Sequence, residues 1–193
     1  MNKKSPSTSR RRSGEKHAAI LTAAAGLAAD VGYSSSTIEL IASRAGVGKQ
    51  TIYRWWPSKA ALYLEAYKAL VAPVAMPSAE HCCRDRLQGF LTTLFRQYGK
   101  TSAGIILRGL IGEMASDEEV RQAVMSGLLL ERTSVLQDPI QEGLDSGELD
   151  SELKAHDLAD VIIALIWKQL LIEPKKLNAR FATQVVVMAL GEA

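Results

Sequence analysis

The sequence predicts an all-α protein in two unequal parts: an amino-terminal three-helix DNA-binding domain carrying a helix-turn-helix, and a larger carboxy-terminal helical domain. Three observations predict it. Apolar residues recur three and four apart with no period-two alternation, a glycine turn separates two helical runs between Ile38 and Trp56, and charge divides along the chain. Residues 1–72 hold eleven Lys and Arg against four Asp and Glu, net +7. Residues 73–193 hold twelve against seventeen, net −5, which gives the chain's formal +2.

Residues 1–13, MNKKSPSTSRRRS, lack an apolar run, so they read as neither a secretion signal nor a membrane anchor but as a disordered basic arm. Arg10, Arg11 and Arg12 follow a DNA backbone, or enter an adjacent minor groove, or simply solubilise the chain. A first helix spans Gly14 to Gly32, with Ile20, Ala24, Leu27, Ala28 and Val31 as its inward stripe. Ser36 caps the next helix, and Glu39, three residues on, completes a capping-box pattern. Ile38, Ile41, Ala42 and Ala45 form that helix's apolar face, Gly46 and Gly48 end it, and Val47 fills the gap to the following helix. From Lys49 to Trp56 only Ile52 and one tryptophan need to face inward, which leaves Lys49, Gln50, Thr51, Tyr53 and Arg54 outward. Ser58 caps a further helix that starts near Lys59 and runs through Leu62, Leu64 and Tyr67. Pro73 and Pro77 break it, so the DNA-binding domain is 14–72 and the second domain 73–193.

The second domain reads as helices throughout. Leu87, Phe90, Leu91 and Leu94 form one stripe, and Ile106, Leu107, Leu110 and Met114 form another. A long helix follows Ser116, which pairs with Glu119 in a second capping-box pattern; Pro139 kinks or interrupts it, and it ends between Gly143 and Leu149. Asp157 to Ile172 is apolar around more than half its circumference, so it is either fully buried or shared between its own core and a partner subunit. Val161 to Ile172, twelve residues including Lys168, is too short to span a bilayer. Phe181 to Leu190 is a second apolar helix after the Pro174 break.

The outward residues of the second motif helix suit duplex DNA. The major groove admits one α-helix and offers acceptors on guanine and a donor–acceptor pair on adenine. Arg54, Lys49 and Gln50 match those edges, while Tyr53 and Thr51 suit phosphate oxygens, which fix register without carrying sequence information. Lys59 at a helix amino terminus makes a phosphate seat.

GVGKQTIYRWWPSKAAL, with AADVGYSSSTIELIASRAG upstream, resembles the amino-terminal domain of TetR-family transcriptional regulators over about the first third of the chain. The resemblance implies phosphate contacts from Tyr53, Lys59 and Thr37 and a reading surface from Lys49 to Arg54. Ser36, Thr37, Lys49, Gln50, Thr51, Tyr53, Arg54, Trp55 and Lys59 make up the expected DNA-binding set. Two positions depart from the family: Gly48 replaces a usual serine, and Gln50 a usual small residue, which changes the bases within reach. Trp55, at an often polar position, either packs or stacks on sugar-phosphate.

The resemblance further implies that the two terminal helices of each subunit form a four-helix dimer interface, here through Leu158, Ile162, Leu165, Ile166, Phe181, Val185 and Met188. Such a homodimer would occupy a palindromic double-stranded operator and repress transcription until a small apolar or amphipathic effector releases it. Phe90, Leu94, Tyr98, Leu107, Leu110, Met114 and Trp167 are the candidate effector-binding residues, although core packing alone accounts for such a stripe. Arg108 beside it either faces water or meets an anionic ligand. The alternative is a helical DNA-binding protein without an effector that acts through a protein partner.

No catalytic residues, cofactor or metal are expected. His17, His81 and His156 are scattered, and two adjacent cysteines form neither a disulfide framework nor a CxxC zinc spacing. His81, Cys82 and Cys83 leave open a thiol sensor or soft-metal site against inert thiols. Reduced thiols and the absence of a targeting segment point to the cytoplasm and to no membrane partner.

Overall fold

The computed structural model describes residues 6–72 and 74–191, and those residues form α-helices and helical turns with no strand. Helix α1 (Pro6–Ser35) starts well before the expected Gly14. Proline suits the first helical turn, and the helix runs on through Gly14 and Gly26 until Gly32. The expected disordered arm is therefore helical in backbone from Pro6, while residues 1–5 and the side chains of Arg10, Arg11 and Arg12 lie outside what is described. Gly32 does interrupt α1, with φ 81° and ψ 164°, a backbone open to glycine. Ile20, Ala24, Leu27 and Ala28 are buried as expected, but Val31 is 47% exposed.

Helix α2 (Ile38–Ala45) is capped by Thr37, whose Oγ1 accepts from the Leu40 amide at 3.3 Å, rather than by Ser36. Ser36 is completely buried: its hydroxyl donates to the Tyr33 carbonyl at 2.8 Å and meets the Tyr63 hydroxyl at 2.5 Å. Gly46 ends α2 in the left-handed conformation, φ 64°. Helix α3 (Lys49–Tyr53) is shorter than expected, though the Trp56 amide still reaches the Ile52 carbonyl at 3.0 Å. Helix α4 (Lys59–Val71) is capped by Ser58, as its sequence predicts.

The larger bundle comprises α5 (Cys83–Lys100), α6 (Ala103–Glu113), α7 (Glu118–Val124), a π-helical turn (Met125–Leu129), α8 (Leu130–Asp145), α9 (Ala155–Ile172) and α10 (Ala179–Leu190). Asp117, not Ser116, caps α7 by accepting from the Val120 amide at 3.1 Å. Pro139 lies inside α8, so the expected interruption falls instead at the π-helical turn. Helix α6 packs on both α1 and α4, and one buried core is continuous through both parts. At Gly109 a Cβ would lie 2.4 Å from the Tyr33 side chain, so only glycine lets α6 approach α1 this closely.

Cys83 is buried where α5 begins, its amide donating to Glu148 at 2.9 Å, and Cys82 is exposed. Burial, reinforced by the Glu148 carboxylate, pushes the Cys83 thiol from its ordinary 9.0 up to about 11. The unfolded chain ionises this thiol first, so its contribution to stability is complete below pH 9 and is lost as pH climbs through about 11. Urea midpoints should fall across that window, and fall less in Cys83→Ala. Identical slopes would show that the thiol plays no part, because burial also raises Tyr33 and Tyr63 and supplies the remaining alkaline sensitivity.

Candidate nucleic-acid interface

The exposed surface of the helix-turn-helix begins at Thr37 and continues through Lys49, Gln50, Tyr53 and Arg54, with Tyr53 52% exposed. Thr51 is half-buried and Ile52 fully buried, so one side of α3 is anchored and the opposite side is presented to solvent. Ser36, expected in the DNA-binding set, drops out: a buried hydroxyl bonded to Tyr33 and Tyr63 touches no groove.

Two side chains in the expected set are held from within the protein. Lys49 pairs with Glu39 of α2 at 2.8 Å, which holds the carboxyl down at about 2 and raises the ammonium. Its charge therefore sits between the two motif helices. The Lys59 ammonium lies 4.1 Å from the centroid of the Tyr33 ring, and burial lowers its pKa while nearby Glu113 opposes that shift. Tyr33 itself donates to Glu113, so Lys59 belongs to a cluster joining α1, α4 and α6.

An aromatic cluster drawn from α1, α4 and the turn after α3 fixes the end of α3. Trp56 is buried and its Nε1 donates to Glu65 at 2.5 Å. The other Glu65 oxygen lies 3.0 Å from His17 Nε2, and the His17 ring sits 4.7 Å from Trp56 and 5.3 Å from Trp55. Trp55 is half-buried, and the Arg54 guanidinium lies 5.5 Å from its ring centroid. Trp55 thus packs within the protein and supports Arg54. No local pattern announces His17 and Glu65, which are brought together by the crossing of α1 and α4. At the other end of the motif, Arg44 pairs with Asp30 at 2.6 Å and ties α2 to α1.

In the larger bundle, Phe90, Leu94, Tyr98, Leu107 and Trp167 line one apolar cavity, together with residues from α4 and α8. Leu110 and Met114 do not line it; Leu110 is wholly buried in the core and Met114 packs against that core. Four of the expected dimer residues, Leu158, Ile162, Ile166 and Val185, are buried within their own chain, which corrects their assignment. Leu165 and Phe181 are half-buried and Met188 is 55% exposed. Because α9 is apolar nearly all round, periodicity alone did not separate its inner side from its outer one. The outer side carries Val161, Ala164, Leu171 and Ile172, and α10 exposes Thr183, Gln184, Val187 and Met188. Among the described residues no His, Cys, Asp and Glu cluster could hold a metal, and no helix is long and apolar enough to cross a membrane.

Comparison with known proteins bears on both parts of the chain. The family model described as bacterial regulatory proteins, tetR family, matches residues 20–66, and the model described as Tetracyclin repressor-like, C-terminal domain, matches residues 78–189. An uncharacterized HTH-type transcriptional regulator of Bacillus subtilis, YdeS, is 28% identical over 90% of this chain and 87% of its own. The crystal structure of the TetR family transcription regulator SCO0332 superposes with a TM-score of 0.73 at 27% identity, covering 93% of this chain and 99% of that one. FadR from Bacillus subtilis, solved in complex with stearoyl-CoA, shares the fold with a TM-score of 0.70 at 20% identity, covering 91% and 98%.

Proposed function

Because the chain belongs to the TetR family of helix-turn-helix transcriptional regulators, we propose that it is a homodimeric repressor that leaves a palindromic operator when a small apolar or amphipathic effector binds its larger domain. The observation that carries the DNA-binding half of this reading is the exposure of Gln50, Tyr53 and Arg54 on a short helix anchored by Ile52 and Trp56. Gln50 and Arg54 read base edges, whereas Thr37, Thr51 and Tyr53 donate to phosphates. Lys59 contributes positive potential from its seat over Tyr33, and Lys49 orients the reading helix through Glu39. We take the chain as a DNA-binding domain over 14–72 and an effector and dimerisation domain over 73–193, a division supported by family matches over 20–66 and 78–189.

Two-fold symmetry supplies the second half. Two reading helices in a symmetric dimer suit half-sites separated by whole helical turns. The partner-facing surface is the outer side of α9 and α10, where Val161, Ala164, Ile172, Val187 and Met188 remain exposed in one chain. The apolar cavity supports the effector, and the stearoyl-CoA of the Bacillus subtilis neighbour supports an amphipathic one. Release requires the effector to bind the DNA-incompetent arrangement more tightly, since equal affinity for both states shifts nothing. The reading places the protein in the cytoplasm.

Selection from random duplexes with the purified protein tests this directly. A two-fold symmetric consensus is expected, and enrichment without symmetry would overturn the dimeric reading. On the selected site, Arg54→Ala and Gln50→Ala should each lose about 1–3 kcal/mol of discrimination against the wrong base. Tyr53→Phe should weaken selected and random duplexes alike. Equal losses on both duplexes for Arg54→Ala would remove Arg54 from base reading.

A further inference from the structure

The apolar cavity of the larger domain has a volume of about 40 Å³ and is walled by leucines, Phe90 and Trp167, with Tyr67 and Tyr98 as its polar edge. Their hydroxyls lie 2.8 Å apart. A larger pocket of about 190 Å³ also has Tyr98 in its wall, alongside Phe95, Leu170 and the first turn of α6. Arg108 and Lys175 rim this second pocket, and no carboxylate lines either space. Among the described residues neither cation has an ion pair, whereas the adjacent Lys176 is held by Glu173 at 2.7 Å.

We propose that the two pockets are one binding site for a monoanionic amphiphile, whose carboxylate lies between Arg108 and Lys175 and whose hydrocarbon passes Tyr98 into the apolar cavity. The proposal rests on the effector-released reading above and specifies its ligand class. Charge-assisted hydrogen bonds to a carboxylate are roughly twice as strong as neutral ones, so the rim selects the head group. The amino-terminal end of α6, which contributes Gly104 and Ile105 to the same pocket, adds potential of the same sign. The apolar cavity selects only for hydrophobicity.

The same geometry connects this site to DNA. A cavity of about 40 Å³ has room for a few water-sized groups, at roughly 10–15 Å³ each, but not for a hydrocarbon chain, so a chain must displace its walls. Leu128 and Leu129 lie on the π-helical turn, whose hydrogen-bond ladder departs from the α-helical one. Gly127 of that turn abuts α4 so closely that a Cβ would lie 2.4 Å from Leu64 Cδ2. Opening the cavity through this turn therefore pushes on α4, the helix that begins at Lys59 directly after the reading turn.

The test uses the full-length protein with decanoate, decanol and decylammonium, titrated by calorimetry and then added to the operator complex. Decanoate should bind at least about tenfold more tightly than decanol, and decylammonium more weakly than either. Arg108→Gln combined with Lys175→Gln should abolish the preference for decanoate while retaining decanol binding, which also shows that the variant is folded. Equal affinities in the parent protein, an unchanged preference in the double variant, or no binding of any of the three would each overturn the proposal. If none binds but an unrelated compound releases the operator, the anionic site fails and effector release stands. If decanoate binds with the expected selectivity but leaves operator affinity unchanged, the site stands and effector release fails.

Discussion

Trp56→Ala is expected to abolish operator binding and destabilise the protein by about 3–5 kcal/mol, the usual cost of emptying a buried large aromatic site. Trp56 is buried at the end of the reading turn and donates to Glu65, which also meets His17 on α1. Removing the indole takes away the packing that orients α3 against α1 and α4. It also leaves the Glu65 carboxylate short of a donor in a partly buried setting. Trp56→Phe keeps most of the volume and loses the Nε1 donor, so it should retain the fold with a smaller loss of affinity. Trp55→Ala, at a half-buried position, should cost less stability than Trp56→Ala but move Arg54 off its ring support. Urea denaturation followed by circular dichroism, with titration of the selected operator, separates these effects. A Trp56→Ala protein of parental stability and affinity would show that the cluster does not hold the reading helix.

The second large effect lies at the other end of the molecule. Val187→Glu combined with Met188→Glu places charges on the outer side of α10, where both residues are exposed in the single chain, so the subunit should still fold. The dimer should not form, because unpaired carboxylates would be buried in its interface. Losing the second reading head removes avidity, and operator affinity should drop by about a hundredfold or more. Val185→Glu should behave differently: Val185 is completely buried within its own subunit, so the charge should unfold the protein rather than produce a stable monomer. Sedimentation velocity and thermal melts of both variants give the answer. A dimeric Val187→Glu and Met188→Glu variant would move the interface elsewhere.

The contrast between Val185 and Val187 shows where legibility in the sequence ended. Helical spacing identified α9 and α10 as apolar and hence important for burial. It did not decide which side of each met the chain's own core, because a helix that is apolar nearly all round has no single inward direction. Similarly, a capping residue was evident before α2, but Ser36 and Thr37 both qualify chemically. The buried Tyr63 hydroxyl and Tyr33 carbonyl claimed Ser36, leaving Thr37 to cap. The exposed reading face was legible because Gly46 and the Ile52 anchor lie within a few residues of the side chains they orient. Lys49 and Lys59 were legible as cations; their partners, Glu39 on one helix and Tyr33 with Glu113 on others, were not.

By itself, the sequence determined the all-α class, the helix-turn-helix with its basic half, and the exposure of Gln50, Tyr53 and Arg54. These follow from spacing, caps and glycine turns that act over one or two helical turns of chain. Only the tertiary structure decided that His17, Trp56 and Glu65 brace the reading turn and that Tyr33 bridges to Glu113, eighty residues away. It also decided that Gly109 and Gly127 let the larger domain bear on α1 and α4. The physical reason is that such contacts depend on helix crossing geometry, which is set by the summed packing of the whole core and leaves no periodic trace in any single segment.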